Sequence, residues 1–152
     1  MLKEYEINSN TLIIIPISKK VSKVIEINEE FMINKNSTEI IDDSCKFFGS
    51  SYNGRFEGTK KLIGVNYKSP IIVEESREII FFPTSSPRFD NCYWVCLKKI
   101  DKFKKTIHDS KIIFKNGLEI DIPVSYSSLE NQILRSTLLE SKLSDRKSHK
   151  FL

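Results

Sequence analysis

Apolar residues alternate with polar ones, run together or keep helical spacing in different parts of this chain, and the changes mark its elements. Residues 3–8 alternate, and Leu12 to Ile17 is a β-branched apolar run, with Asn8-Ser9-Asn10 between them as a turn signal. Residues 21–27 and 31–33 supply two further short strands, separated by the polar breaks Lys19-Lys20 and Asn28-Glu29-Glu30. At Asn36-Ser37-Thr38-Glu39 the period changes. A capping side chain followed three residues later by glutamate opens a helix. Its inner face is Ile40, Ile41, Cys45 and Phe48, and Gly49 is its stop. A second helix follows over about 51–63, placing Gly54 and Gly58 one turn apart on a face that a neighbour approaches closely.

Beyond Pro70 the β pattern returns. Residues 71–74 and 78–82 read as a hairpin across Glu75-Ser76-Arg77, and 83–87 as a loop of turn formers. Residues 92–98 and 111–115 read as strands joined by a lysine-rich connection. Asn116-Gly117 then turns the chain into a strand over 118–124, the strongest short hairpin signal available. A second capping box, Ser127 to Glu130, opens a helix through Leu143, with Leu129, Ile133, Leu134, Thr137 and Leu138 near one face. The expected fold is α+β: mostly antiparallel sheet and hairpins, a helical insertion over about 37–63 and a C-terminal helix over about 128–143. Residues 1–146 form one domain and 147–152 a short basic tail, and the chain is expected to fray over 144–152.

Composition adds a core and a mild charge. With 152 residues, 39% hydrophobic and 29% charged, the chain can bury a sizeable interior and is not of the disordered class. A net charge of +4 permits a polyanionic partner without demanding one. The apolar run at 11–17 is too short to span a bilayer and is broken by Pro16, so neither a membrane segment nor a secretory signal is read there. The three cysteines are read as reduced thiols in the cytoplasm.

Candidate chemistry concentrates in Cys45-Lys46-Phe47-Phe48-Gly49-Ser50-Ser51-Tyr52-Asn53-Gly54-Arg55. A phosphate loop needs a lysine and a hydroxyl directly after its last glycine, and Arg55-Phe56 stands there instead. The stretch reads better as a helix stop followed by a helix cap, although the free N–H groups of that second helix could still welcome a phosphate. Ser50 and Ser51 have no base in a triad context, the histidines being His108 and His149. Cys92 and Cys96, with Cys45 and His108, could make four metal ligands. On a strand, however, 92, 94 and 96 share one face, and two thiols flanking Trp94 fit a core better than a metal. The densest basic stretch is Lys98-Lys99, Lys102, Lys104-Lys105, Lys111 and Lys115. It reads either as a solvated face or as a set of phosphate contacts.

An ordered set of short motifs then points further. Cys45-x-Phe-Phe-Gly-Ser-Ser-Tyr-x-Gly-Arg55, Gly58-Thr59, Lys68-x-Pro70, Phe81-Phe-Pro-Thr84, Cys92-x-Trp94, Phe114-x-Asn-Gly117, Pro123-x-Ser-Tyr126 and Glu130-Asn-Gln132 with Arg135 occur together. In this the chain resembles the ComK family of competence transcription factors, closely over about 38–146 and loosely before that. The resemblance implies a sequence-specific, DNA-binding transcriptional activator of competence genes for DNA uptake, without catalysis, cofactor or metal. Its implied partner is double-stranded DNA carrying paired A/T-rich boxes, approached largely through the minor groove by homodimers or higher homo-oligomers, in the cytoplasm at the nucleoid. RNA polymerase and a protease adaptor are the further implied partners. An alternative is a tail-less relative that acts as a non-activating dimerisation partner of a full-length regulator.

The minor groove offers a degenerate code, so recognition there leans on groove width, phosphate contacts and inserted basic side chains. Arg55 and Arg88 are the arginines expected in the groove, and Lys46, Lys60, Lys61, Lys98 and Lys99 the expected phosphate contacts. The chain departs from the family pattern in three places. Tyr67 stands where a histidine is expected, Cys96 lies outside the pattern, and Leu152 ends the sequence before the tail that relatives use for activation and adaptor recognition.

Overall fold

The β-branched run near the start becomes β1 (Thr11–Ser18), which pairs antiparallel with β2 (Val21–Glu26) across the Lys19-Lys20 turn; β3 (Glu30–Ile33) pairs with β2. A computed structural model describes residues 1–148. The later hairpin is β4 (Ile71–Glu74) and β5 (Ile79–Pro83), and β6 (Trp94–Cys96) lies between β5 and β1. Together they make a six-stranded antiparallel sheet in the order β3-β2-β1-β6-β5-β4. A separate three-stranded sheet contains β7 (Ile100–Lys105), β8 (Ser110–Phe114) and β9 (Glu119–Ile122) in that order. The helices are α1 (Ser37–Phe47), α2 (Tyr52–Ile63) and α3 (Tyr126–Ser148).

Both faces of the large sheet are covered. On one, Ile14, Val24, Ile71, Phe81 and Trp94 meet Ile40, Ile41 and Cys45 of α1. On the other, Ile13, Phe82 and Val95 meet Ile112, Phe114 and Ile122 of the small sheet and Leu129 of α3. Further along, Ile72 and Ile80 pack on Leu139 and Leu143 of α3, with Leu62 and Ile63 of α2 at the margin. This explains the unalternating Ile79-Ile80-Phe81-Phe82: β5 is buried throughout, and successive side chains enter opposite layers. Each fully buried Phe stabilises the fold by about 1.5–3 kcal/mol relative to exposure.

The α1 and α2 boundaries fall where the capping signals put them. Asn36 and Glu39 form the reciprocal capping box, Gly49 takes φ +90° just past α1, and Ser51 caps α2 by accepting from the Gly54 N–H at 2.9 Å. A Cβ at Gly54 would come within 2.8 Å of Ser50 Oγ, so close approach is real there, whereas Gly58 faces open space. The Asn116-Gly117 hairpin also forms, with Gly117 at φ +91°.

Four expectations need correction. Residues 3–8 form no strand: Tyr5 and Ile7 are buried, but the Ile7 N–H bonds Ser44 Oγ of α1 at 3.0 Å, not a neighbouring strand. The strand expected over 92–98 shortens to Trp94–Cys96 and ends in a one-turn 3-10 helix, Leu97–Lys99. The lysine-rich connection is itself β7, whose Phe103 packs inward while its lysines line an exposed sheet edge. Finally, α3 starts at Tyr126, held by Ser125, whose carbonyl accepts from Leu129 N–H at 3.0 Å and whose hydroxyl accepts from Ser128 N–H at 3.2 Å.

The buried stripe of α3 also differs from the apolar one. It is Leu129, Gln132, Ser136, Leu139 and Leu143, whereas Leu134 is 62% and Leu138 47% exposed. Gln132 and Ser136 belong inside because each finds partners there. The Gln132 amide donates to the carbonyls of Lys68 (2.8 Å) and Pro83 (2.7 Å), and Ser136 Oγ donates to the Gln132 carbonyl (2.7 Å). Residues 144–148, expected to fray, continue the helix. The rest of the expected basic tail, His149 included, lies outside the described residues.

Candidate nucleic-acid interface

The two ends of the six-stranded sheet treat their cations differently. At one end the β4–β5 turn is a knot of carboxylates. Glu74 is buried and accepts from Ser76 Oγ and Arg77 N (both 2.6 Å) and from Arg77 Nε (3.2 Å). Glu75 pairs with Arg55 of α2 (3.2 Å) and Arg146 of α3 (3.1 Å), and Glu78 with Lys98 (3.6 Å) and Lys147 (3.2 Å). Burial would raise the Glu78 carboxyl, but Lys147, Ser144 and Lys98 outweigh it and hold it below the ordinary glutamate range. Burial likewise opposes, and Ser76 and Arg77 likewise prevail, at Glu74.

Arg55 is therefore placed inside this knot. Its side chain is only 16% exposed, and its Nε is buried with no hydrogen-bond partner among the described residues. Lys98 is a paired cation of the same end, and Lys99 follows it in the 3-10 turn beside Cys96. Lys46, in the last turn of α1, pairs with Asp42 at 2.9 Å. That same carboxylate accepts the Tyr52 N–H at 2.9 Å, so with Ser51 on the Gly54 N–H the start of α2 is filled by the protein's own oxygens. Burial pushes Asp42 up, yet the Tyr52 N–H and Lys46 hold it below the ordinary aspartate range.

The opposite end gathers the loop before β4, the loop from β5 to β6 and the β1–β2 turn, and a set of hydrogen bonds ties them together. Thr59 Oγ1 of α2 donates to the Pro70 carbonyl (2.6 Å), and Gln132 bridges Lys68 and Pro83. Arg135 donates to the Tyr67 carbonyl (2.9 Å). Ser37 and Thr38 at the start of α1 donate to the carbonyls of Cys92 (2.7 Å) and Pro87 (3.3 Å). The Asn36 amide reaches the Lys19 carbonyl (3.3 Å). On this scaffold stand Lys19, Lys20, Lys60, Lys61, Lys68 and Arg88, none of which makes an ion pair among the described residues. All but the half-buried Lys68 are exposed. This surface can present positive charge to a polyanion without first breaking internal pairs.

Of the residues singled out from sequence, the structure thus brings Lys60, Lys61 and Arg88 to one end. It places Arg55, Lys98 and Lys99 at the other and Lys46 on α1. Lys19, Lys20 and Lys68 stand at the first end too and are not among the sequence candidates. The signal for the first two was their position in a tight β turn, and for Lys68 the turn-forming Lys68-Ser69-Pro70, where Lys68 adopts φ +47°.

The residues of the alternative chemistries lie apart among the described residues. Cys45, Cys92 and Cys96 line the apolar layer around Trp94, while His108 is exposed in the β7–β8 turn, so the four candidate metal ligands are not brought together. Burial pushes the Cys45 thiol up to about 12 and those of Cys92 and Cys96 to about 11. Ser51 is used as a helix cap. Among the described residues no helix is long and apolar enough to cross a membrane.

Comparison with known proteins agrees with the motif set. The ComK protein family matches residues 2–148. The chain is 39% identical over 153 aligned positions to the competence transcription factor of Bacillus subtilis (strain 168), covering 98% of this chain and 80% of that protein. No solved structure matches it. The chain belongs to the ComK family.

Proposed function

We propose that this ComK-family chain is a sequence-specific DNA-binding regulator that activates competence genes for DNA uptake. In this reading it binds A/T-rich boxes as a homo-oligomer, largely through the minor groove. The observation that carries the reading is the gathering of Lys19, Lys20, Lys60, Lys61, Lys68 and Arg88, without ion pairs among the described residues, at one end of the sheet, where Asp90 is an exposed acid of the same loop, together with the family. Lys19, Lys20, Lys60, Lys61 and Lys68 are the proposed phosphate contacts, and Arg88 the proposed groove arginine. Lys46, Lys98 and Lys99 are assigned at most a peripheral role, and Arg55 a structural one, because its guanidinium is engaged by Glu75. A narrow A/T minor groove concentrates negative potential, which suits a single exposed arginine flanked by lysines.

Titration of A/T-rich against G/C-rich duplex over a range of salt tests this. Preferential A/T binding that weakens steeply with salt is expected. Equal affinity for the two duplexes, or no binding at low salt, would count against it. A second reading, a non-activating dimerisation partner of a longer relative, is favoured by the exposed Leu134 and Leu138 on the outer face of α3. Mixed dimers without independent DNA affinity would select it.

A further inference from the structure

The loop from β5 to β6 carries an aromatic ring in an unusual setting. Phe89 is 59% exposed, directly after Arg88. Other exposed aromatics are already engaged: Phe47 lies edge-on to Phe48 with centroids 5.1 Å apart, and Lys68 Nζ sits 5.6 Å from the Tyr67 ring. Phe89 has no ring or cation partner among the described residues, and it packs in none of the core clusters.

Its backbone, by contrast, is pinned. Ser86 to Phe89 is a β turn closed by Phe89 N–H on the Ser86 carbonyl at 3.0 Å, with Pro87 fixing φ at its first corner. The Pro87 carbonyl accepts from Thr38 Oγ1, the Ser85 carbonyl from the buried Cys92 thiol (3.5 Å), and Thr84 is bonded to Tyr93 in both directions. A single bare ring on a braced turn is too small a patch for a protein docking surface. It is the shape of a wedge.

We propose that Phe89 inserts between stacked base pairs from the minor groove beside Arg88 and kinks the duplex, an assignment that rests on the DNA-binding reading above. Apolar wedges next to arginines work in this way because a bent duplex wraps more protein surface. The unpaired lysines at the same end supply that surface, bearing on phosphates either side of the kink.

The experiment uses the full chain and an A/T-rich duplex of about 30 base pairs labelled at both ends, reading affinity by anisotropy and bending by energy transfer. Phe89→Ala should abolish the bend and weaken binding about tenfold, the value of one base–aromatic stack, with unchanged melting and unchanged salt slope because no charge is removed. Phe89→Leu, which keeps an apolar wedge, should restore the bend. Unaltered bending and affinity in Phe89→Ala would overturn the wedge alone. So would an altered sedimentation behaviour with the bend intact, which makes Phe89 a protein–protein contact. Absence of DNA binding by the unsubstituted protein would overturn the DNA-binding reading itself.

Discussion

Replacing Lys60 and Lys61 with glutamine removes two exposed cations from the loop-bearing end of the sheet and should leave the fold alone, since neither side chain makes an ion pair among the described residues. If Lys19, Lys20, Lys60, Lys61, Lys68 and Arg88 each neutralise one phosphate, log K against log salt falls with a slope of about −5.4, and the double variant brings it to about −3.6. Counted from a 1 M reference, two lost contacts cost about sixtyfold in affinity at 0.1 M salt and about twentyfold at 0.2 M. The matched control is Lys98→Gln with Lys147→Gln, which lowers the net charge of +4 by the same two units. Those lysines face Glu78, so the pair should shift the slope by well under one unit. Anisotropy titrations on one A/T-rich duplex at several salt concentrations read both slopes. Equal shifts in the two variants would mean that net charge, not placement, drives binding, and the assignment of the interface to one end would fall.

Further outcomes follow from the same geometry. Gln132→Ala leaves the Lys68 and Pro83 carbonyls without their donor and should cost about 2–4 kcal/mol in urea unfolding; Gln132→Glu, which sets a carboxylate against both carbonyls, should cost more. Arg55→Ala should melt early yet keep the wild-type salt slope, and a lost slope unit with normal melting would return Arg55 to the groove. Glu74 and Glu78 titrate below the ordinary glutamate value in the folded state, so their stabilisation is complete above about pH 4.5 and is lost as pH falls through the folded values. Urea midpoints between about pH 6 and about pH 3 should fall with acid, less steeply in Glu78→Gln. The buried thiols of Cys45, Cys92 and Cys96 should resist an aromatic disulfide reagent at about pH 8 in the native protein and react on unfolding; fast native labelling would contradict their burial.

Much of the fold was readable because local chemistry and tertiary structure agree at its joints. Asn36 with Glu39, Gly49, Ser51 and Asn116-Gly117 act through their own backbone, so neighbours cannot easily overrule them. What failed depended on distant partners. Gln132 and Ser136 lie off the apolar stripe of the helix and are buried only because Gln132 meets the distant Lys68 and Pro83 carbonyls and Ser136 bonds back to Gln132, whereas Leu134 and Leu138 read as inward until those polar residues take the inner positions. The alternation over 3–8 was genuine, but α1 supplied the hydrogen bond that a strand would have used. The interface was less legible still. Lys60 and Lys98 are the same residue type, and only the fold puts Glu78 opposite one of them. Arg55, expected in the groove with Arg88, lies against Glu75, twenty residues away in sequence.

The path of α3 along β5 constrains how these genes can change length. Gln132 bonds the last residue of β5, Pro83, and Ser144 and Lys147 bond Glu78 just before its first. From Gln132 to Ser144 the helix rises about 18 Å. From Glu78 to Pro83 the strand advances about 17 Å. The helix is a splint cut to the length of the strand. One inserted or deleted residue between 132 and 144 would turn everything downstream by about 100° and swing either the glutamine or the ion-paired end off its seat. Within this family, insertions and deletions should therefore be excluded from that stretch of α3, while the β7–β8 turn around the 93% exposed Ile107 can accept them.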